Sequence, residues 1–231
     1  MRNYRFVSKV LSGAQRQALC DVVLAHPLVS ESSLKGAFSA TRGFSIAFTA
    51  RRLPELINKF PFLLDFFTAI QIEKGMKHLY SPMAPARLFN KLASPNAFYF
   101  NVLLIPPQAE VHRHVDGTLQ PYLDIPNLRP KMVSVLWLQS GGGGQLELFD
   151  GLRKLATVVP EEGSVIHFRG DLGHAVSSVQ GKVIRVSMVL EQYVVPNEVT
   201  ELLEPWMVHS KVPFSIHLQH AQQELHEESG E

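Results

Sequence analysis

The spacing of apolar residues along this chain changes character near residue 97, and the change divides it into a helical part and a strand part. Residues 14–26 have the length and composition of a helix that Pro27 ends. A polar, small-residue segment from Ser30 to Gly43 shows no periodicity and is expected to be a loop packed over the domain. From Arg52 to Lys74, Leu53, Leu56, Ile57, Phe60, Leu63, Leu64, Phe67 and Ile70 recur mainly at three- and four-residue steps, the signature of a helix face, which Pro61 is expected to break in two. The aromatic stripe Phe60, Phe62, Phe66 and Phe67 reads as a cover for a sheet. Between Tyr80 and Lys91 the signal fades, with Pro82 and Pro85 marking a turn and Arg87 to Leu92 a short helix. Strand-like runs then occur at 97–105, 110–116, 131–139, 144–150, 154–159, 163–169, 174–179 and 183–191. Short strands separated by turn residues predict a jelly roll. The expected organisation is a helical region over 1–96, a mainly β core over 97–195, and a helical extension with a polar tail over 196–231.

Two stretches carry the candidate chemistry. In Val111-His-Arg-His-Val-Asp-Gly117, an extended chain places His114 and Asp116 on one face, where both can reach one ion. A third ligand from elsewhere completes the two-histidine, one-carboxylate set that leaves open positions on non-haem Fe(II). Downstream, residues 163–190 read as three short strands with turns at Gly170 to Gly173 and Gln180 to Lys182, and His174 at the start of the middle one is the natural third ligand. On the last strand Arg185 and Ser187 share one face, and Ile184, Val186, Met188 and Leu190 share the other. A guanidinium facing inward opposite a wholly apolar side needs an anion, and a ligand carboxylate suits its planar fork.

Over roughly residues 97–193 the chain resembles the Fe(II)- and 2-oxoglutarate-dependent oxygenases, and most closely their prolyl-hydroxylase-like branch. The resemblance rests on His114-x-Asp116, the glycine-rich Gly141-Gly-Gly-Gly-Gln-Leu-Glu-Leu-Phe149, the run from Pro160 through Gly163 to Phe168, His174-Ala-Val, and Arg185 eleven residues after His174. It implies a double-stranded β-helix, with His114, Asp116 and His174 as iron ligands and no catalytic residue beyond them. Arg185 would grip the distal carboxylate of 2-oxoglutarate, with Ser187 helping. The implied activity is hydroxylation of an unactivated C–H bond with O2, releasing succinate and carbon dioxide. Asp116 argues against the halogenating branch, where a small residue replaces the carboxylate.

The chain also departs from that pattern. Ile105 stands where a co-substrate tyrosine is common, Trp137 where a second is common, and Glu191-Gln-Tyr193 where a tryptophan is frequent. Tyr99, Asn101 and Tyr122 are candidates to replace the missing hydroxyls. The connection from Gly117 to Pro130 comes directly after the metal pair and has the length of a functional lid. It puts Tyr122, Asp124 and Arg129 forward for substrate contact, alongside Trp137 and His112. If the strand continues unbroken, His112 shares a face with His114, so a cupin-like metalloprotein using His112, His114 and a later histidine is the structural rival; it would not need Arg185. The alternative function is a non-catalytic metal-binding or oxygen-sensing module that keeps the three ligands. His167 reads as a satisfied core histidine, and His220 and His226 as part of a solvated tail.

Composition narrows the setting. The chain's 231 residues, 45% hydrophobic and 19% charged, are those of a globular protein with a sizeable core. A net charge of +1, without a basic stripe interleaved with aromatics, disfavours nucleic acid and leaves a small molecule or a peptide or protein residue as substrate. No apolar run is long enough to span a membrane. The basic segment Met1–Cys20 lacks the continuous apolar stretch of a secretory signal and reads as an amphipathic helix. The single cysteine, Cys20, fits a reducing compartment, so a cytoplasmic location is expected.

Overall fold

Alternating side chains along each strand build the molecule from two stacked antiparallel sheets. The computed structural model describes residues 3–31, 38–70, 94–203 and 206–212. The large sheet contains β1 (Tyr4–Val7), β2 (Ser30–Glu31), β3 (Arg42–Thr49), β4 (Ala97–Ile105), β6 (Met132–Gln139), β9 (Val165–Arg169), β11 (Arg185–Tyr193) and β12 (Met207–His209). Its strands run in the order β1-β9-β6-β11-β4-β3-β12, with β2 beside β3. The small sheet contains β5 (Val111–His114), β7 (Leu146–Asp150), β8 (Arg153–Val158) and β10 (Gly173–Val176), in the order β5-β10-β7-β8. This is the expected jelly roll.

On β4 and β11 the even-numbered residues Phe98, Phe100, Val102, Leu104, Val186, Met188 and Leu190 form the outer face of the large sheet. That face is covered by α1 (Gly13–Ala25), α2 (Leu53–Lys59) and α3 (Phe62–Ile70). Ser12 starts α1 with a capping box, its hydroxyl accepting from the Gln15 amide while the Gln15 side chain accepts from the Ser12 amide. Helices α2 and α3 are separated at Pro61, as expected, and Phe66 meets Phe100 edge-on at 5.2 Å. The odd-numbered residues of β4 and β11 face inward, so the split of Arg185 and Ser187 from the apolar Val186, Met188 and Leu190 is observed.

Residues 1–96 are not helical throughout. Strand β1 pairs with β9, and β3 is an interior strand lying between β4 and β12. The loop expected up to Gly43 therefore gives way to strand at Arg42, where Phe44, Ile46 and Phe48 face the helices. The connection after β5 carries the short helix α4 (Gln120–Leu123). The C-terminal extension holds α5 (Asn197–Thr200) and then returns as strand β12. Expectations for the turn and short helix between Tyr80 and Leu92, and for the tail with His220 and His226, lie outside the described residues. Among the described residues, no helix is long and apolar enough to cross a membrane.

Candidate metal centre

Strands β5 and β10 pair antiparallel with His174 directly opposite His114, and the two imidazoles lie 4.2 Å apart between centroids. The pairing shifts register between His174 and Val176, so Val111 and His114 both turn inward while His112 and Arg113 turn out. That bulge overturns the expectation that His112 shares a face with His114. Its side chain is 73% exposed and sits 3.2 Å from Glu110, so it reaches neither a metal nor a substrate in the pocket. With it goes the rival ligand set built on His112.

Both inward histidines are oriented in the same way. The Nδ1 of His114 lies 2.8 Å from the His112 carbonyl and that of His174 lies 3.3 Å from the Leu172 carbonyl. An Nδ1–H donating to a carbonyl leaves Nε2 as the lone-pair atom. These two Nε2 atoms face Asp116, at 3.4 Å from its Oδ1 for His114 and 3.5 Å from its Oδ2 for His174. One ligand atom from each of the three residues falls within 4.8 Å of the others. Asp116 is buried beyond the end of β5; burial works against its charge, but His174, His114 and Arg129 together hold it below the usual carboxylate range. Burial likewise opposes protonation of His114, yet the Asp116 carboxylate beside it leaves it raised, whereas burial dominates at His174 and lowers it.

The donor set suits Fe(II). Two imidazoles and a carboxylate converge, and His114 Nε2 is a buried atom with no hydrogen-bond partner among the described residues. A cation between the three groups would satisfy it.

A pocket runs from this cluster along the odd-numbered face of β11, past Arg185, Ser187, Val189 and Glu191. Arg185 is 1% exposed, and burial pushes its guanidinium down to about 10. Its Nη1 reaches Ser187 Oγ only at 3.4 Å, and its Nε has no partner among the described residues. A buried cation left this way calls for an anion. The glycine-rich segment explains how the side chain fits. Gly141 to Gly144 all take positive φ, and a Cβ on Gly144 would lie 2.8 Å from Arg185 Cδ.

The other expected residues divide. Asn101 lines the pocket. Tyr99 is buried with its hydroxyl 2.5 Å from Ser45 Oγ, and burial raises its pKa, so it serves the fold beside the pocket. Tyr122, on α4, lies against His209 at 5.2 Å. Arg129 Nη1 donates to the Asp116 carbonyl at 3.3 Å and holds the metal loop. Trp137 is fully buried in the core between the sheets, 6.0 Å from Phe6, which corrects its assignment to substrate contact. Ile105 is core as well. His167 is the satisfied core histidine expected, 2.8 Å from Ser134 Oγ.

One site residue was not anticipated. Glu191 faces the pocket, 5% exposed, and accepts from the Thr118 hydroxyl at 2.7 Å, the Thr118 amide at 3.3 Å and the Tyr193 hydroxyl. Burial and the charge of Asp116 push its carboxyl up to about 8 against these bonds. The two-residue repeat from Arg185 and Ser187 through Val189 to Glu191 was the signal for it.

No family model matches the sequence, and no curated protein matches it. Solved structures do match. A prolyl hydroxylase from Trichoplax adhaerens, in complex with a hypoxia inducible factor oxygen degradation domain peptide fragment, aligns at a TM-score of 0.56 and 14% identity over 87% of each chain. An oxidoreductase of the 2OG-Fe(II) oxygenase family from Burkholderia pseudomallei aligns at 0.54 and 12%, over 83% of this chain and 85% of that one. A prolyl 4-hydroxylase from Phytophthora capsici aligns at 0.53 and 16%, over 86% of this chain and 60% of that one. The chain thus shares the fold of prolyl hydroxylases and other 2OG-Fe(II) oxygenases, and it carries a histidine, aspartate, histidine cluster.

Proposed function

We propose that this protein is an Fe(II)- and 2-oxoglutarate-dependent dioxygenase that hydroxylates an unactivated C–H bond of a small molecule or of a peptide or protein residue. The observation that carries the reading is the meeting of the His114, Asp116 and His174 ligand atoms beside a buried Arg185 that has no anionic partner among the described residues. When bound, Fe(II) with 2-oxoglutarate and O2 supplies the oxidising chemistry, with succinate and carbon dioxide released. The chain's own residues do the rest. His114 and His174, fixed through Nδ1, offer neutral Nε2 donors, and Asp116 offers a carboxylate already ionised by its surroundings. Arg185 seats the distal carboxylate and so sets the direction in which the keto acid lies. Apolar walls, including Leu103, Val135 and Val176, exclude water from the reacting groups.

The Trichoplax relative was captured with a peptide, which supports a peptide residue as one of the two substrate classes. The near-zero net charge supports neither a nucleic acid nor an anionic membrane as partner. A cytoplasmic location fits the lone, buried Cys20, whose thiol burial pushes up and makes inert.

The test is turnover. Purified protein given Fe(II), 2-oxoglutarate and O2 should form succinate, and His114→Ala, Asp116→Ala and His174→Ala should each abolish it. Unaltered succinate formation in the three variants would overturn the proposal. A screen of metabolites and peptides for a product heavier by one oxygen then identifies the substrate.

A further inference from the structure

We propose that Glu191 is a positioning residue for the metal centre, fixing the backbone from which Asp116 presents its carboxylate. The inference rests on the metal-site reading above. Strand β5 ends at His114, so no ladder hydrogen bond holds Asp116 in place. The loop that begins at Asp116 is pinned at two points. Arg129 donates to the Asp116 carbonyl, and Glu191 accepts both the amide and the hydroxyl of Thr118, two residues on.

The support behind Glu191 is rigid. It sits on β11, which pairs with β4 and β6 through this region. Its Oε2 also accepts from Tyr193, itself fully buried against Ala97 and Leu119. Three donors converge on the carboxyl group, two on Oε2 and one on Oε1. The group is therefore occupied in holding its neighbours and is not a free base or a fourth ligand. Nor is it filling space, because an apolar side chain of the same size would avoid the cost of burying a carboxyl. The gain from an acid here is the grip on Thr118.

Geometry also predicts which substitution is tolerated. Glutamine can place Oε1 where Oε2 accepts now and turn Nε2 towards the Thr118 hydroxyl, which is able to accept. Leucine keeps the bulk and loses every bond.

The experiment measures metal affinity with the full chain and no co-substrate, using Mn(II) titrated by electron paramagnetic resonance and Co(II) followed by its visible absorption. Glu191→Leu should weaken Mn(II) binding by about tenfold or more and change the Co(II) spectrum, the loss expected when a group supporting a ligand is removed. Glu191→Gln should restore both towards wild type. Thr118→Val, which removes one bond at constant size, should lie between them, and it decides the matter if Glu191→Leu does not fold. If wild type binds Mn(II) and Glu191→Leu or Thr118→Val binds it equally well, the clamp is refuted and the metal site stands. If wild type binds neither ion, the metal-site reading falls and the clamp with it.

Discussion

Replacing Arg185 with methionine separates the cost of a buried charge from its use. Without an anion, burial pushes the Arg185 guanidinium down to about 10, a shift equivalent to about 3 kcal/mol held against the charged form. The sign comes from linkage. The folded value is depressed, so the unfolded chain binds this proton more tightly; the penalty is complete below about 10 and is relieved only as pH rises above that. At neutral pH methionine removes that penalty, keeps much of the bulk and gives up only the long contact to Ser187. Metal-loaded protein without co-substrate should therefore gain up to about 3 kcal/mol, raising Tm by up to roughly 6–12 °C. Adding 2-oxoglutarate under argon should reverse the order. Wild type gains charge-assisted bonds of about 1.5–3 kcal/mol each, and the variant gains almost none. Differential scanning calorimetry with Mn(II), with and without 2-oxoglutarate, reads both effects. A variant less stable than wild type before addition, or one that 2-oxoglutarate stabilises equally, would refute the reasoning.

Glu191→Gln should flatten the pH dependence of stability. The folded carboxyl titrates near 8 instead of 4.5, so its cost is absent below about 4.5, accumulates as pH rises to about 8 and is constant above. Metal-free Glu191→Gln should accordingly match wild type at pH 5 and exceed it at pH 9 in thermal unfolding; a parallel offset at both pH values would contradict this. Gly144→Ala should force Arg185 aside, because the added Cβ meets its Cδ at 2.8 Å in a positive-φ backbone; a raised 2-oxoglutarate requirement with unchanged Mn(II) affinity, by calorimetric titration, is the expected result. Phe66→Ala, which empties a fully buried position on the outer face of the large sheet, should cost about 3–5 kcal/mol in urea unfolding while leaving Mn(II) affinity unchanged.

What could be read from the chain beforehand tracked the strength of local periodicity. Arg185 and Ser187 opposite Val186, Met188 and Leu190 form a period-two pattern that long-range context did not alter. Strand β3 carries an equally clean alternation, Phe44, Ile46 and Phe48 against Ser45, Ala47 and Thr49, but it adjoins a polar segment that masked it. That omission also misplaced Tyr99, whose hydroxyl partner Ser45 lies on the unread strand. His112 failed for a different reason: a bulge arises from pairing with β10, and nothing local in Val111-His-Arg-His114 records it. Trp137 kept its predicted strand, yet its ring is packed in the core beside Phe6, which arrives from β1.

One strand joins the two ends of the pocket. Residues Arg185 to Glu191 of β11 pair with β4, and from Ser187 onward with β6 as well, so the strand resists any change in the interval between the guanidinium and the loop bearing Asp116. A fixed interval acts as a gauge of carbon number. On the proposed function, keto-diacids one methylene shorter or longer than 2-oxoglutarate would meet the cation or the metal, but not both.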